Sequence, residues 1–267
     1  MNRALTTSAP TRDSQMSRRF NAIDERVRAI GTRMGAQEME YPALIARPVL
    51  VQAEYDQAFP HLLMSATCLH TSRGERREDR APAGPAAEWC LSPAVCYHAY
   101  AHLAGQVLGE RLAITARGRC FRSETLNEPG VRQIEFEMRE IVFIGAPAWV
   151  SASLEKAREQ VEALAGELGL PGEWRPAEDP FFLPSAMHKA VMQRLLEVKL
   201  EYQLRDPSAL ALASVNRHGA FFGQRFAISG PTGEPVHTGC AAIGLDRWCR
   251  HAATTDLTTR RAACLAS

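Results

Sequence analysis

The sequence predicts an α+β fold, because two amphipathic helices flank a pair of extended segments arranged as an antiparallel hairpin. Apolar residues recur every three or four positions across 17–35 and again across 149–168, as they do on one face of a helix. Between these helices, 116–121 and 133–145 are extended, and the second segment is rich in β-branched and aromatic residues. Pro129-Gly130 supplies the turn that joins them.

The composition excludes several classes of protein. Of the 267 residues, 46% are hydrophobic and 23% are charged, as in an ordinary globular chain. The formal net charge of +1 provides no overall field toward nucleic acid or anionic membrane. The chain contains no run of about 18 apolar residues, which excludes a membrane span.

Seven cysteines are scattered along a chain whose first residues include no apolar stretch of signal-peptide length. This pattern indicates reduced thiols that serve as buried side chains, metal ligands or nucleophiles. We therefore expect a cytoplasmic protein without disulfides. We also expect a disordered, Ser- and Thr-rich tail at 1–16, followed by a single domain at 17–267.

The remaining elements are predicted from the same periodicities and from the positions of glycine and proline. In chain order they are an extended segment at 37–41, loops at 41–63 and 73–85, helices at 93–106 and 185–204, extended segments at 222–229 and 238–244, and a final helix from about Leu245.

Arg122 and Glu124 stand two positions apart, so on a strand both side chains project from the same face of the sheet. In that arrangement one side chain can face phosphates and the other the amino group of an adenine, and the ring of Phe136 on the returning strand can stack on a base. Taken alone, Phe121-Arg122-Ser123-Glu124 is more often a structural ion pair on a solvated strand.

Three segments together resemble the motifs of class II aminoacyl-tRNA synthetases, in the same order. Phe121-Arg122-Ser123-Glu124, a loop and the strand with Phe136 look like motif 2. Gly244-Leu245-Asp246-Arg247 looks like motif 3, and the helix at 17–35 with Glu38-Met39-Glu40-Tyr41-Pro42 looks like motif 1, the dimer-interface element. The resemblance implies the class II catalytic core, a mixed and mainly antiparallel sheet flanked by helices, and a homodimer.

Further segments narrow this resemblance to the zinc-dependent, atypical seryl-tRNA synthetases, and still more to their truncated relatives, the amino acid:[carrier protein] ligases. The resemblance covers roughly residues 17–250. The segments that carry it are Tyr55 with Phe59-Pro60, Ser92-Pro93-Ala94-Val95-Cys96-Tyr97, Met138-Arg139-Glu140, Asp179-Pro180-Phe181-Phe182, Asn216-Arg217-His218 through Phe222-Gly223, and His237-Thr238-Gly239-Cys240.

The resemblance maps a zinc-binding set onto Cys96, Glu140 and Cys240, which spacing alone does not nominate because 44 and 100 residues separate them. Two buried cysteines and a charged strand residue are the alternative, and Cys90 is the nearest rival of Cys96. Two thiolates and a carboxylate leave one position of a tetrahedral Zn²⁺ open for the neutral amino group of a substrate. Cys120 is expected to be structural and to point away from the neighbours of Arg122.

The resemblance also implies an ATP site in which Mg²⁺ accompanies the nucleotide. Arg122 is expected to bind the α-phosphate and the substrate carboxylate, and Arg247 the γ-phosphate, with Arg132 assisting from the loop. Phe136 stacks on adenine, and Glu124 recognises its exocyclic amine. Arginine suits these places because its planar fork binds two oxygens and stays charged.

Some positions have alternatives. Arg247 is also placed to pair with Asp246 or with the sheet, and Arg139 to face solvent on its strand. Ala242 stands where motif 3 often has glycine, a methyl group that would crowd the nucleotide. His218 is expected to be a hydrogen-bonded structural histidine.

The acceptor is expected to be a protein rather than tRNA. About 16 residues precede the first helix, whereas a tRNA-charging enzyme of this zinc type carries a substantial extra domain there and a basic surface. The resemblance implies glycine or alanine as substrate, and the phosphopantetheine thiol of an acidic carrier protein as acceptor. The helix with Lys189, Arg194 and Lys199 is the candidate docking surface, or else an ordinary solvated face. A tRNA-charging seryl-type synthetase and a non-catalytic nucleotide-binding paralogue stay open as alternatives.

Overall fold

The structure, a computed structural model, describes residues 9, 11–67, 70–72, 75–76, 88–124, 127–128, 130–177, 198–206 and 208–252. The helices in these ranges are α1 (Ser14–Arg33), α2 (Arg47–Gln52), α3 (Tyr55–Ala58), α4 (Cys96–His102), α5 (Pro147–Glu167), α6 (Phe221–Arg225) and α7 (Leu245–His251). The strands are β1 (Gln37–Glu38), β2 (Leu44–Ala46), β3 (Ser65–Ala66), β4 (His70–Ser72), β5 (Glu75–Arg76), β6 (Trp89–Leu91), β7 (Arg111–Phe121), β8 (Glu135–Gly145), β9 (Gly172–Pro176), β10 (Lys199–Leu204), β11 (Ala211–Gly219) and β12 (His237–Gly244).

A seven-stranded sheet in the order β1-β7-β8-β12-β11-β10-β9 forms the centre of the described chain. Its edge pair β1–β7 is parallel, and the other neighbours are antiparallel. Two small ribbons, β2-β6-β3 and β4-β5, lie beside it. The mixed, mainly antiparallel sheet and the α+β class are therefore as predicted. Within the described ranges, the helices are too short or too polar to cross a membrane.

The two faces of β8 pack against different layers, because side chains alternate along a strand. Ile141 and Phe143 belong to the main apolar core, where α1 and α5 cover one face of the sheet. Val142 and Ile144 belong to a second cluster on the other face, together with residues of α4 and α6. The second face also carries the candidate site, so the helical layer behind the sheet supports it.

The final helix α7 is anchored by Trp248, which is fully buried. The indole Nε1 donates a hydrogen bond of 2.9 Å to the carbonyl of Leu212 in β11. Truncation of a buried tryptophan costs about 3–5 kcal/mol, so this contact holds α7 firmly at the end of β12. Arg247 is thereby placed at a rigid junction between strand and helix.

Several predicted elements are confirmed. β7 and β8 form the antiparallel hairpin, paired from Arg111↔Gly145 to Phe121↔Glu135. Helices α5 and α7 also occur where they were predicted. Helix α1 begins at Ser14, three residues before the predicted boundary, because the Asp13 side chain accepts a hydrogen bond of 2.7 Å from the amide of Met16 and caps the helix. Residues 14–16 of the tail that we predicted to be disordered are therefore helical.

Other predictions are wrong. The segment predicted to be extended at 222–229 begins with the helix α6, in which Phe222 and Phe226 lie four apart and both pack near Tyr100. The loop predicted at 41–63 contains the short helices α2 and α3. The helix predicted at 93–106 is present as α4, but it extends only over Cys96–His102. The end of the helix predicted at 185–204 is the strand β10, and 178–197 lie outside the described residues. Strands β9 and β11 were not predicted.

Candidate active site

A cavity of about 660 Å³ opens on the face of the sheet that lies opposite α1 and α5. Small-molecule sites typically enclose roughly 300–1,000 Å³, so this volume suits a ligand of nucleotide size. The three predicted metal ligands Cys96, Glu140 and Cys240 line the cavity, and so do Arg122 and Arg247. The structure therefore brings the two predicted groups of residues into one space.

The metal-ligand candidates converge although they are far apart in the chain. The two thiol sulfurs and one carboxylate oxygen all lie within 4.8 Å of one another, and all three residues are buried. Glu140 on β8 and Cys240 on the neighbouring strand β12 are brought together by the β8–β12 register, in which Glu140 pairs with Ala242 and Val142 with Cys240. Cys96 is the first residue of α4, which packs over these strands.

One oxygen of Glu140 is held and the other is not. Oε1 accepts a hydrogen bond of 2.9 Å from the amide of Val95. Oε2 is buried and has no hydrogen-bond partner among the described residues. A buried carboxylate oxygen without a donor costs stability unless a cation or a proton satisfies it. Its position beside two thiols fits a cation.

The pKa values of Cys96, Glu140 and Cys240 are shifted because the three side chains are buried close together. Burial and the negative charge of Cys240 raise the pKa of Glu140 to about 8. A hydrogen bond to Cys240, burial and the charge of Glu140 raise the pKa of the Cys96 thiol. The pKa of Cys240 is lowered, because its thiolate accepts hydrogen bonds from Cys96 and from His218 and Asn216. A divalent cation would replace the protons that this cluster otherwise needs.

Cys240 has neighbours that hold its sulfur in place. Asn216 Nδ2 donates to Cys240 Sγ at 3.5 Å, and His218 Nε2 lies 4.0 Å from the same sulfur. His218 Nδ1 lies 3.2 Å from both the Tyr100 hydroxyl and the Thr238 hydroxyl, which orient the ring. His218 is thus hydrogen-bonded, as expected, but it also contacts a ligand candidate.

The donor set fits zinc. Two thiolates and one carboxylate are ligands that Zn²⁺ accepts in tetrahedral sites, and three protein ligands leave a fourth position open. Cys90, the rival of Cys96, packs in a separate cluster with Ile45, Leu50 and Tyr55. The cysteines in the described ranges are Cys90, Cys96, Cys120, Cys240 and Cys249, all buried free thiols.

Arg122 lies at the end of the β7–β8 hairpin, and its guanidinium makes few hydrogen bonds with the described residues. Its Nη2 is 3.4 Å from the carbonyl of Pro93, its Nε is buried without a hydrogen-bond partner among the described residues, and its Cζ lies 5.1 Å from the Phe136 ring centroid. A partly buried guanidinium with an unused donor can receive an anion. The contact with Phe136 keeps the aromatic ring and the arginine side by side in the cavity.

Arg247 is held by backbone carbonyls rather than by Asp246. Its Nη2 and Nε donate to the Val131 carbonyl at 2.6 and 3.0 Å, and its Nη1 donates to the Ala211 carbonyl at 2.6 Å. Burial and the positive charge of Arg122 lower the pKa of Arg247. The alternative in which Arg247 pairs with Asp246 is therefore wrong. The alternative contact with the sheet is present, through the carbonyl of Ala211 on β11. Two arginines facing one cavity form a site for a polyanion.

The other predicted nucleotide ligands lie at the rim. Glu124 forms an ion pair with Arg132 at 3.1 Å, in which the arginine is exposed and the glutamate is mostly buried. Glu124 therefore pairs across the loop and not with Arg122. Phe136 lines the cavity on β8, where the predicted alternation places it on the same face as Glu140.

Two further expectations are wrong. Cys120 pairs with Phe136 in the β7–β8 register and packs with Met138 and Val95, so it lies on the same face as the site. It points toward the neighbours of Arg122 and is buried among apolar atoms. Arg139 is buried rather than solvent-exposed, because it binds Asp24 of α1.

Sequence reasoning missed several residues that line the cavity. Lys199 and Glu201 project from β10, and their charged groups lie 3.2 Å apart. Lys199 was predicted to lie on a docking helix with Lys189 and Arg194, which are outside the described residues. The two-residue spacing of Lys199 and Glu201 indicates a strand, but it lies inside the segment 185–204 whose apolar residues predicted a helix.

Comparison with known proteins gives the family. The chain is 33% identical over 245 residues to amino acid–[acyl-carrier-protein] ligase 1 of Bradyrhizobium diazoefficiens, an alignment that covers 85% of this chain and 75% of the relative. The chain belongs to the amino acid–[acyl-carrier-protein] ligase family. Ligase 2 of the same organism is 31% identical over the same share of the chain and 73% of its own length. The prediction of a ligase enzyme is therefore confirmed.

More distant relatives of the ligase agree with the predicted resemblance to the atypical seryl-tRNA synthetases. A type-2 serine–tRNA ligase of Methanocaldococcus jannaschii is 28% identical over 172 residues, which cover 60% of this chain and 33% of that protein. No protein-family model matches the chain.

Solved structures confirm the fold of the ligase. The Methanopyrus kandleri seryl-tRNA synthetase, solved in complex with a tRNA, superposes with a TM-score of 0.72 and 21% identity over 88% of this chain. A prolyl-tRNA synthetase of Giardia lamblia in complex with prolyl-adenylate gives a TM-score of 0.68 and 16% identity. The chain spans about half the length of these two structures, 51% and 47%. The class II aminoacyl-tRNA synthetase core is thus confirmed as the fold.

Proposed function

We propose that the ligase uses ATP to activate a small amino acid, glycine or alanine, and transfers it to the phosphopantetheine thiol of a carrier protein. The observation that carries this proposal is the shared cavity of the Cys96–Glu140–Cys240 cluster and the two arginines Arg122 and Arg247. A site for an amine beside a site for a triphosphate is what a reaction that joins the two substrates requires. The names of the bacterial relatives support the carrier protein as acceptor.

The first step joins the substrate carboxylate to the α-phosphorus of ATP. A carboxylate oxygen forms the new bond, the bond from the α-phosphorus to the bridging oxygen breaks, and pyrophosphate leaves. Arg122 is placed to bind the α-phosphate and the carboxylate, and Arg247 to bind the γ-phosphate. Arg247 is pre-oriented by the carbonyls of Val131 and Ala211, so its charge acts on the phosphoryl oxygens with little reorganisation, whereas Arg122 keeps donors free for the anion.

The nucleotide base has a place at the rim of the cavity. Phe136 offers a ring for stacking beside Arg122. Glu124 offers a carboxylate to the exocyclic amine of adenine while Arg132 balances its charge. Ala242, which stands where motif 3 often has glycine, adds a methyl group on the strand before Arg247 and narrows this part of the cavity.

Two metal ions belong to the proposal. Cys96, Glu140 and Cys240 would hold Zn²⁺, which when bound supplies an open position for the neutral amino group of the substrate. Glu201 lines the cavity beside Lys199, and Mg²⁺ would accompany the phosphates of ATP there. The chain itself orients these ligands through Val95 and Asn216.

In the second step the carrier thiol attacks the carbonyl carbon of the aminoacyl-adenylate. The new carbon–sulfur bond forms, the bond to the phosphate oxygen breaks, AMP leaves, and the thiol proton is released. The proposal includes a homodimer, supported by the resemblance of α1 and β1 to motif 1. It also includes the absence of tRNA charging, supported by the greater identity to the carrier-protein ligases than to the serine–tRNA ligase.

The decisive experiment is ATP–pyrophosphate exchange by the zinc-loaded protein with glycine, alanine or serine. We expect exchange with glycine or alanine, followed by thioester formation on a phosphopantetheinylated carrier protein. The same carrier without its phosphopantetheine is the matched control. ATP binding without exchange would favour a non-catalytic paralogue, and aminoacylation of tRNA in place of the carrier would favour a tRNA-charging enzyme.

A further inference from the structure

Arg12 makes contacts that a residue in a disordered tail would not make. It precedes α1, and its guanidinium is mostly buried with a side-chain exposure of 23%. Its Nη1 lies 2.6 Å from Glu137 Oε1, and its Nη2 lies 2.6 Å from Asp246 Oδ1. Its Cζ lies 3.7 Å from the centroid of the Phe20 ring, which packs over one side of the planar group.

The two carboxylates that Arg12 binds belong to different elements of the fold. Glu137 is on β8 and Asp246 is in the first turn of α7. They are also joined directly, because the amide of Glu137 donates to Asp246 Oδ2 at 2.5 Å. Their sequence neighbours are Phe136 and Arg247, the residues proposed to hold the two ends of ATP.

We infer that Arg12 is a positioning residue for the nucleotide site. By binding Glu137 and Asp246, Arg12 sets the distance between Phe136 on β8 and Arg247 on α7. This inference rests on the proposed function, since it assigns Phe136 and Arg247 to ATP. The guanidinium fork suits this role because each of its two terminal nitrogens binds one carboxylate in a fixed geometry. A lysine ammonium lacks that planar fork.

The two carboxylates that Arg12 binds, Glu137 and Asp246, depend on it to different degrees. Glu137 also binds Arg117, whose Nε lies 3.2 Å from its Oε2. In the described part of the chain, Asp246 has an ion pair with no cation other than Arg12. Loss of Arg12 therefore removes more support from the first turn of α7 than from β8, and the effect should fall on the phosphate end of the nucleotide.

The test compares Arg12→Ala with the parent protein and with Arg26→Ala in pyrophosphate exchange. Arg26 is the matched control, because it lies on α1 and pairs with Glu167 of α5, away from Asp246. We expect Arg12→Ala to raise the KM for ATP about tenfold, as loss of a charged hydrogen bond does, and to leave the KM for the amino acid unchanged. Arg26→Ala should change neither constant.

The comparison of KM values is independent of the folded fraction, because unfolded molecules do not contribute to exchange. A second variant, Asp246→Asn, completes a double-mutant cycle in which the effect of Arg12→Ala on the KM for ATP should largely vanish. An unchanged KM for ATP in Arg12→Ala, an equal rise of both KM values, or additive effects in the cycle would overturn the inference alone. A parent protein that shows no amino-acid-dependent exchange would overturn the proposed function, and this inference with it.

Discussion

Arg139 and Glu140 are neighbours on β8, and each is buried on its own side of the sheet. Arg139 donates through Nε and Nη2 to the two oxygens of Asp24 on α1, at 2.6 and 3.0 Å. Glu140 lies within 4.8 Å of the sulfurs of Cys96 and Cys240. The bidentate ion pair therefore fixes β8 against α1, and the same strand presents the carboxylate to the cavity.

Breaking the Arg139–Asp24 pair is expected to destabilise the protein strongly. Arg139→Met roughly keeps the volume but leaves the buried Asp24 with the partly exposed Arg117 as its remaining cation among the described residues. We expect a loss of about 3 kcal/mol in the free energy of unfolding, measured by urea denaturation. Arg158→Ala removes an exposed pair with Glu155 on α5 and should cost below about 0.5 kcal/mol. Equal losses in the two variants would contradict a special role for the buried pair.

Zinc content distinguishes the three ligand candidates from the other cysteines. Cys96→Ala and Cys240→Ala should each lose the bound metal after dialysis, because two remaining ligands hold Zn²⁺ poorly. Cys90→Ala should keep about one zinc per chain, because Cys90 lies in a separate cluster and the three-ligand site binds one ion. Elemental analysis by mass spectrometry measures the ratio. Full zinc content in Cys96→Ala would refute the assignment.

The two cavity arginines should be needed for the chemical step. We expect Arg122→Ala and Arg247→Ala to lower the rate of pyrophosphate exchange by about 10²–10³-fold, as loss of a pre-oriented charge does. Arg119→Ala is the control, since Arg119 is exposed on β7 and pairs with Glu135. Thermal denaturation checks that each variant is folded. A folded Arg122→Ala protein with the parent rate would remove Arg122 from the proposed mechanism.

His98 should make the protein sensitive to acid. Burial lowers the pKa of His98 from 6.5 to about 4, and the ring is stacked on Tyr41 at a centroid distance of 5.5 Å. A depressed folded-state pKa contributes stability above pH 6.5, and this contribution is lost as the pH falls toward 4.

His98→Phe keeps an aromatic ring against Tyr41 but does not titrate. The variant should therefore lose less stability than the parent between pH 6.5 and 4, as measured by urea denaturation at several pH values. Parallel pH curves for the two proteins would show that His98 does not titrate in this window.

The β7–β8 hairpin and the position of Arg122 could be predicted from the sequence, because both depend on patterns within a short segment. The alternation in β8 and the two-residue step from Arg122 to Glu124 can be read within one stretch of chain. The convergence of Cys96, Glu140 and Cys240 could not be read in this way, because it depends on the register of β8 with β12 and on the packing of α4. The family resemblance supplied it.

Asn216 and His218 belong to a segment that carries the resemblance, but their contact with Cys240 was not predicted because it depends on strand pairing. They reach Cys240 because β11 lies beside β12, with Asn216 opposite Cys240. With β11 unpredicted, neither residue had a position relative to the thiol. Arg12 was missed for a different reason: its partners are 125 and 234 residues away, and nothing in a short polar segment indicates them.

The hydrogen bond from Val95 to Glu140 links two ligand candidates through a peptide group, since Val95 immediately precedes Cys96. Every amino acid except proline brings the same N–H to this position, so exchanging the side chain leaves the aim of the carboxylate unchanged. What limits the residue is space, because a Cβ on Gly118 would lie 2.9 Å from the valine methyl. The aim of Glu140 thus depends on a non-proline at 95, and a larger residue at 118 would force the side chain of Val95 to shift, so the shape of the backbone contributes to the site beside its ligands.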